Sequence, residues 1–159
     1  MSLASHAVSE IKGAHEYFTR SSQLLTEEHA NLTPAPGMMT TVQQIAHAAH
    51  TIDWFLEGAF RPEGFDLDFD KHTAAINAVS SMAAARAWFD RAFAAAIARI
   101  EPLSDADLLT LMAEGPIMGG EPRIGMIGAI TDHTAHHRGA LTVYTRLAGL
   151  VPPMPYMDM

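Results

Sequence analysis

No run of β-branched residues interrupts this alanine-rich chain, and its prolines and glycines gather in a few short segments. That distribution favours helices punctuated by turns and leaves little material for a sheet. Four long helices are predicted. The first runs over residues 3–29, with Val8, Ile11, His15, Phe18 and Leu25 near one face, and stops at NLTPAPG (31–37). The second covers 40–60, opened by a capping box from Thr40 with Gln43 or Thr41 with Gln44. The third covers 73–101, with Met82, Phe89, Phe93, Ile97 and Ile100 at helical period. The last covers 122–148, started by Pro122 and stopped by Gly149, Pro152 and Pro153. RPEGFDLDFDKH (61–72) reads as a long loop crossing the bundle. SDADLLTLM (104–112) reads as a short extra helix capped by Ser104, and 112–125 as a glycine-rich loop and a candidate rim over a site. The predicted fold is all-α: a four-helix bundle with a long crossover connection and one short extra helix, as a single domain over 1–159.

Composition narrows the chemistry. The chain has no cysteine, which removes disulfides, thiolate metal sites and cysteine nucleophiles together. A transition-metal site must draw on His, Asp or Glu. The formal charge is −8, and the ten Lys and Arg residues form no run, so nucleic-acid binding lacks its electrostatic footprint. No segment has the length and apolarity of a membrane span, and the first residues lack a signal-peptide pattern, so a cytoplasmic protein is expected.

The densest chemistry lies in TDHTAHHRGAL (131–141). At about 100° per residue, Met126, Ile130, His133, Leu141 and Tyr144 all fall within about 40° of His137. His133 and His137 therefore lie on the apolar stripe, whereas His136 and Arg138 flank it. With nine histidines in 159 residues, chance alone gives about half an HxxxH occurrence. Two histidines on a core stripe are harder to dismiss, since buried imidazoles need partners and two protonated rings one turn apart would repel. A shared metal ion answers both needs.

The second helix offers His47 and His50 as further ligands. They share a face with Gln43 and Trp54, opposite the stripe Val42, Ile45, Ala49, Ile52 and Leu56, so one face can meet the core and the other a partner subunit. Spacing alone does not choose between the two histidines. Asp132 and Asp53 are candidate orienters of ligating rings; Asp132 also sits one turn from His136 as a surface pair. Arg138 reads as a salt-bridge partner first and an anion site second.

HTAHHRGALTVYTRLAGLVPP (133–153) resembles the C-terminal signature of the DinB/YfiT-like family of metalloproteins, and TTVQQIAHAAHTIDWFLEGAF (40–60) resembles that family's second helix. The family often has Gln after HHRG; this chain has Ala140. The resemblance implies metal ligands at His47, His133 and His137, with His50 beside them as a neighbour or a fourth ligand. It implies a divalent ion, nickel or zinc before iron or manganese, and a homodimer. It also implies a metal-dependent thiol S-transferase or isomerase-like enzyme acting on a small electrophile, the low-molecular-weight thiol being a cosubstrate because the chain has none of its own. The alternatives are a metal-dependent hydrolase that activates water and a non-catalytic metal-binding bundle.

Overall fold

The computed structural model describes residues 2–157. Four long helices, α1 (Leu3–Ser22), α2 (Thr41–Phe60), α4 (Met82–Ile100) and α6 (Gly125–Leu147), form the bundle, and α3 (Phe69–Asn77) and α5 (Asp105–Leu109) are short additions. Around the ring the order is α1, α4, α2, α6, with α1 across from α2 and α4 across from α6. The diagonal crossings are therefore made by 23–40 and 101–124. The segment 61–72, expected as the crossover, instead belongs to a connection (61–81) that joins neighbours and carries α3, which packs on α2.

The predicted stripes are the core. Val8, Ile11 and Phe18 of α1, Met82, Phe89, Phe93 and Ile100 of α4, and Met126, Ile130, Leu141 and Tyr144 of α6 are all buried. On α2, Val42, Ile45, Ala49 and Ile52 face inward. The opposite face of α2 lies under α3 and a cleft.

Helix ends depart from the sequence reading for identifiable reasons. α1 stops at Ser22, not residue 29, because the Arg86 guanidinium donates to the carbonyls of Ser22 (2.7 Å) and Leu25 (3.0 Å). Helix ends leave carbonyls without intrahelical partners, and the Ser22 carbonyl also accepts from Leu25 N at 3.0 Å. The chain then makes a separate 3-10 turn, Glu27–His29, and Glu27 accepts from the Met82 amide at 3.0 Å, at the start of α4. The single helix expected over 73–101 is two. Asp68 caps α3 by accepting from Lys71 N, and Ser81 caps α4 by accepting from Ala84 N. Each cap offers the backbone an oxygen outside the helix, and so the helix breaks between them. At the other end of the chain, 110–123 is held by an isolated antiparallel bridge between Leu111 and Pro122, and α6 begins only at Gly125.

Gly58 lies inside α2 rather than at its end. The Phe65 ring packs where a Cβ on Gly58 would stand, which folds the 61–68 segment back onto the helix and sets Phe65 edge-on to Trp54 at 4.8 Å. Alanine is the better helix former by about 1 kcal/mol, yet Gly58→Ala is expected to destabilise the protein by about 1–3 kcal/mol through displacement of that ring. Chemical denaturation of the variant checks this; a gain in stability would remove the packing role assigned to Phe65.

Candidate metal centre

The capping box of α2 decides which glutamine is available to the site. Thr40 accepts from Gln43 N at 3.2 Å, and Gln43 Oε1 accepts from Thr40 N at 2.8 Å. That occupies Gln43 at the helix start and leaves Gln44 free to turn into the bundle. Gln44 is 8% exposed and lies against His137, which is 5% exposed.

One hydrogen-bond chain sets the protonation of His137. The Tyr144 hydroxyl donates to the Met39 carbonyl at 2.6 Å and accepts from Gln44 Nε2 at 3.3 Å. Gln44 Oε1 is thereby turned toward His137 Nδ1, 2.5 Å away, and that nitrogen must donate. The proton sits on Nδ1, and Nε2 is left with a lone pair aimed at the neighbouring rings.

Three Nε2 atoms meet there. His133 Nε2 lies 3.2 Å from His47 Nε2 and 3.2 Å from His137 Nε2. His47, His133 and His137 each offer a ligand atom within 4.8 Å of the others, a group that could hold a metal ion. Two imidazole nitrogens bound at about 2.0–2.1 Å around a tetrahedral ion stand about 3.3 Å apart, so the spacing and the lone pair of His137 both fit such an ion. His137 also has the outer-shell partner that a ligating histidine normally has, Gln44. His47 Nδ1 is buried with no protein partner, so its ring is less firmly oriented.

The rings are kept neutral. Burial, and then the neighbouring histidines His133 and His47, push the His137 pKa down to about 3. Burial, and then His47, push His133 down to about 4. His47 is lowered by burial and then by His136. Neutral imidazole is the form that binds metals.

On one side the cluster reaches solvent through two of its members. His47 and His133 line a cleft of about 570 Å³, bounded by the 37–39 segment, α2 and α3. His137 closes the inner side. The glycine-rich loop 112–125, expected as a rim, does not line this cleft.

The other sequence candidates are placed elsewhere. His50 is not in the cluster. Its Nε2 meets His72 Nδ1 at 3.1 Å, and His72 Nε2 donates to the Asp66 carbonyl at 3.0 Å. His72 is hidden from spacing arguments because 61–72 is expected to be a loop, whereas α3 begins at Phe69. Asp53 accepts from Trp88 Nε1 at 2.7 Å and orients no ligand. Asp132 is exposed and forms no ion pair with His133, His136 or His137, its charge acting on His133 only as the weakest of the influences on that ring. Arg138, expected in a salt bridge, instead donates to the Tyr156 hydroxyl at 3.1 Å and stacks near the rings of Tyr17 and Tyr156. Gln44 is the residue that sequence reasoning missed. Its only signal was its place three residues before His47, beside it on the helix surface.

The fold and the histidine cluster define an all-α four-helix bundle with a three-histidine site open on one side. A family model described as the DinB superfamily matches residues 11–141, and the chain belongs to that superfamily. A crystal structure of a DinB-like protein from Bacillus cereus has the same fold, with a TM-score of 0.74 over 92% of this chain and 93% of that one at 23% identity. Comparison with curated proteins found no match. No helix among the described residues is long and apolar enough to cross a membrane.

The lowered histidine pKa values have a stability consequence. The unfolded chain binds protons near the ordinary value of 6.5, whereas folded His133 and His137 resist them down to about 4 and 3. The unfolded state therefore gains protons first as pH falls. For metal-free protein, stability is expected to be full above pH 6.5 and to decline as pH falls toward 4. His137→Asn is expected to flatten that decline. Thermal melts across this range in the presence of chelator check it, and an identical pH slope in both proteins would contradict the assignment.

Proposed function

We propose that this protein is a cytoplasmic metal-dependent transferase that joins a low-molecular-weight thiol to a small electrophile, or uses the thiol in isomerase-like chemistry. His47, His133 and His137 hold the ion, nickel or zinc. The observation that carries this reading is the convergence of three neutral imidazole nitrogens, 3.2 Å apart in successive pairs, at the wall of an open cleft. Three protein ligands with an accessible face are the arrangement of catalytic sites; structural sites are closed by a fourth.

A divalent ion held there supplies Lewis acidity, which makes a coordinated thiol or water a stronger acid. The protein's own residues supply the rest. Gln44 holds the His137 ring with its lone pair outward. Burial keeps all three rings unprotonated. The cleft admits the electrophile from the side of His47 and His133. Because the chain has no cysteine, the attacking sulfur must arrive as a cosubstrate. A homodimer, suggested by family membership, belongs to the same proposal.

Metal analysis of the purified protein beside His47→Ala and His137→Ala tests the site. About one ion per chain is expected for the unmodified protein and little for either variant; unchanged content in both would sink the centre. Gln44→Leu is expected to weaken metal affinity about 10- to 100-fold, and Asp132→Asn to leave it unaltered. Thiol conjugation by metal-loaded protein should be detectable against a panel of electrophiles. Turnover of an ester or amide panel without any conjugation would replace the transferase by a hydrolase, and inactivity in both panels would leave a metal-binding bundle. Solution mass checks the dimer.

A further inference from the structure

Charged side chains make up 18% of the chain, yet none of the residues lining the cleft beside the three histidines is Asp, Glu, Lys or Arg. The nearby charges are turned aside. Lys71 and Asp66 pair with each other at 2.7 Å, and the Asp53 carboxylate is taken by Trp88. His50 stays neutral, since burial and then His72 push its pKa down to about 4.

What does line the cleft is largely apolar: Met38, Met39, Trp54, Phe55, Phe69 and Ile76. Trp54 is held in place, with its Nε1 donating to the Asp66 carbonyl at 2.7 Å and the rings of Phe65 and Phe55 packed against it at 4.8 and 5.3 Å. Phe69 and Met38, 57% and 48% exposed, present apolar surface at the mouth. The polar contribution is similarly fixed. The Asp66 carbonyl accepts from His72 Nε2–H, so His72 Nδ1 accepts from His50 Nε2–H, and His50 Nδ1 is left as a hydrogen-bond acceptor. A charged group entering such a cleft would lose hydration with no counter-charge to replace it. A flat apolar group would gain contact with tryptophan and phenylalanine faces. The volume, about 570 Å³, suits a molecule of one or two fused rings.

We propose that this cleft binds an uncharged substrate built on an aromatic or flat apolar group, which lies against Trp54 and Phe69 and points its reactive end at His47 and His133. The direction of the reactive end rests on the metal-centre reading; the preference for a neutral aromatic group does not.

The test uses three naphthalene probes of matched size, naphthalenemethanol, naphthoate and naphthylmethylammonium, titrated into chelator-treated full-length protein by calorimetry. The neutral probe is expected to bind at least about tenfold more tightly than either charged one, because neither charge has a partner in the cleft. Phe69→Ala, at an exposed position that does not threaten folding, is expected to weaken it at least about threefold. Phe69→Arg is expected to bring naphthoate binding up to or above that of the neutral probe. Equal or tighter binding of naphthoate by the unmodified protein would overturn the proposal, as would tighter binding of the ammonium probe, which would mark an aromatic cation site. So would failure to bind the neutral probe, or no effect of Phe69→Ala. Because the titration is made without metal, these failures leave the metal centre standing. Conversely, loss of that centre in the metal analysis, with probe binding intact, would leave the cleft assignment standing.

Discussion

The Gln44 carboxamide is the constraint on which the site depends. It joins three elements at once: it accepts from His137 on α6, donates to Tyr144 about two turns further along the same helix, and through Tyr144 reaches the Met39 carbonyl in the segment before α2. The direction of each hydrogen bond in this buried line is fixed, because the Met39 carbonyl can only accept and every group after it must complement its neighbour. The result is one tautomer for His137 and one orientation for its lone pair. A hydrocarbon in place of Gln44 would still fill the space between α2 and α6 but would leave the ring free to flip.

Burial and metal chemistry support each other in this arrangement. A bundle interior disfavours charged imidazole, and the closeness of the three rings disfavours it further, since each protonated ring would repel the next. The same low polarity that holds the histidines neutral makes three converging lone pairs costly to leave without a positive partner. The cleft continues this environment outward, with walls free of Asp, Glu, Lys and Arg, and its polar lining comes from His47, His133, the His50–His72 pair, Gln43, Thr51, Thr73 and Asn77. α3 completes the cleft while burying little of itself: Ile76 is its one buried residue, and its position relies on polar ties, Gln43 to Asn77 at 2.8 Å and Asp66 to both His72 and Trp54.

Much of this was legible from residue spacing. The apolar stripes of α1, α2, α4 and α6 appear at the predicted positions because helical period alone decides which residues share a face. The same rule separated His133 and His137, which turn inward, from His136, which is exposed. Boundaries were less legible. The end of α1 is set by Arg86, some sixty positions away in the chain, and the break before α4 by Ser81 in a segment that otherwise favours helix. The two capping boxes open to α2 were equivalent in sequence. Packing separated them, because Thr41 is buried with its hydroxyl unpartnered while Thr40 and Gln43 satisfy each other.

The sequence by itself determined the helical class, the inward HxxxH pair and, with the DinB-like resemblance, the set His47, His133 and His137. Those features depend on intervals within one helix or on a recognisable motif. Only the tertiary structure decided that His50 belongs with His72, that Arg138 lies among tyrosines, that Gln44 orients His137, and that no Asp, Glu, Lys or Arg lines the cleft. Each of these depends on which side chains meet across helices that are neighbours in space, and hydrogen bonds between them form only when burial leaves a donor and an acceptor no alternative partner.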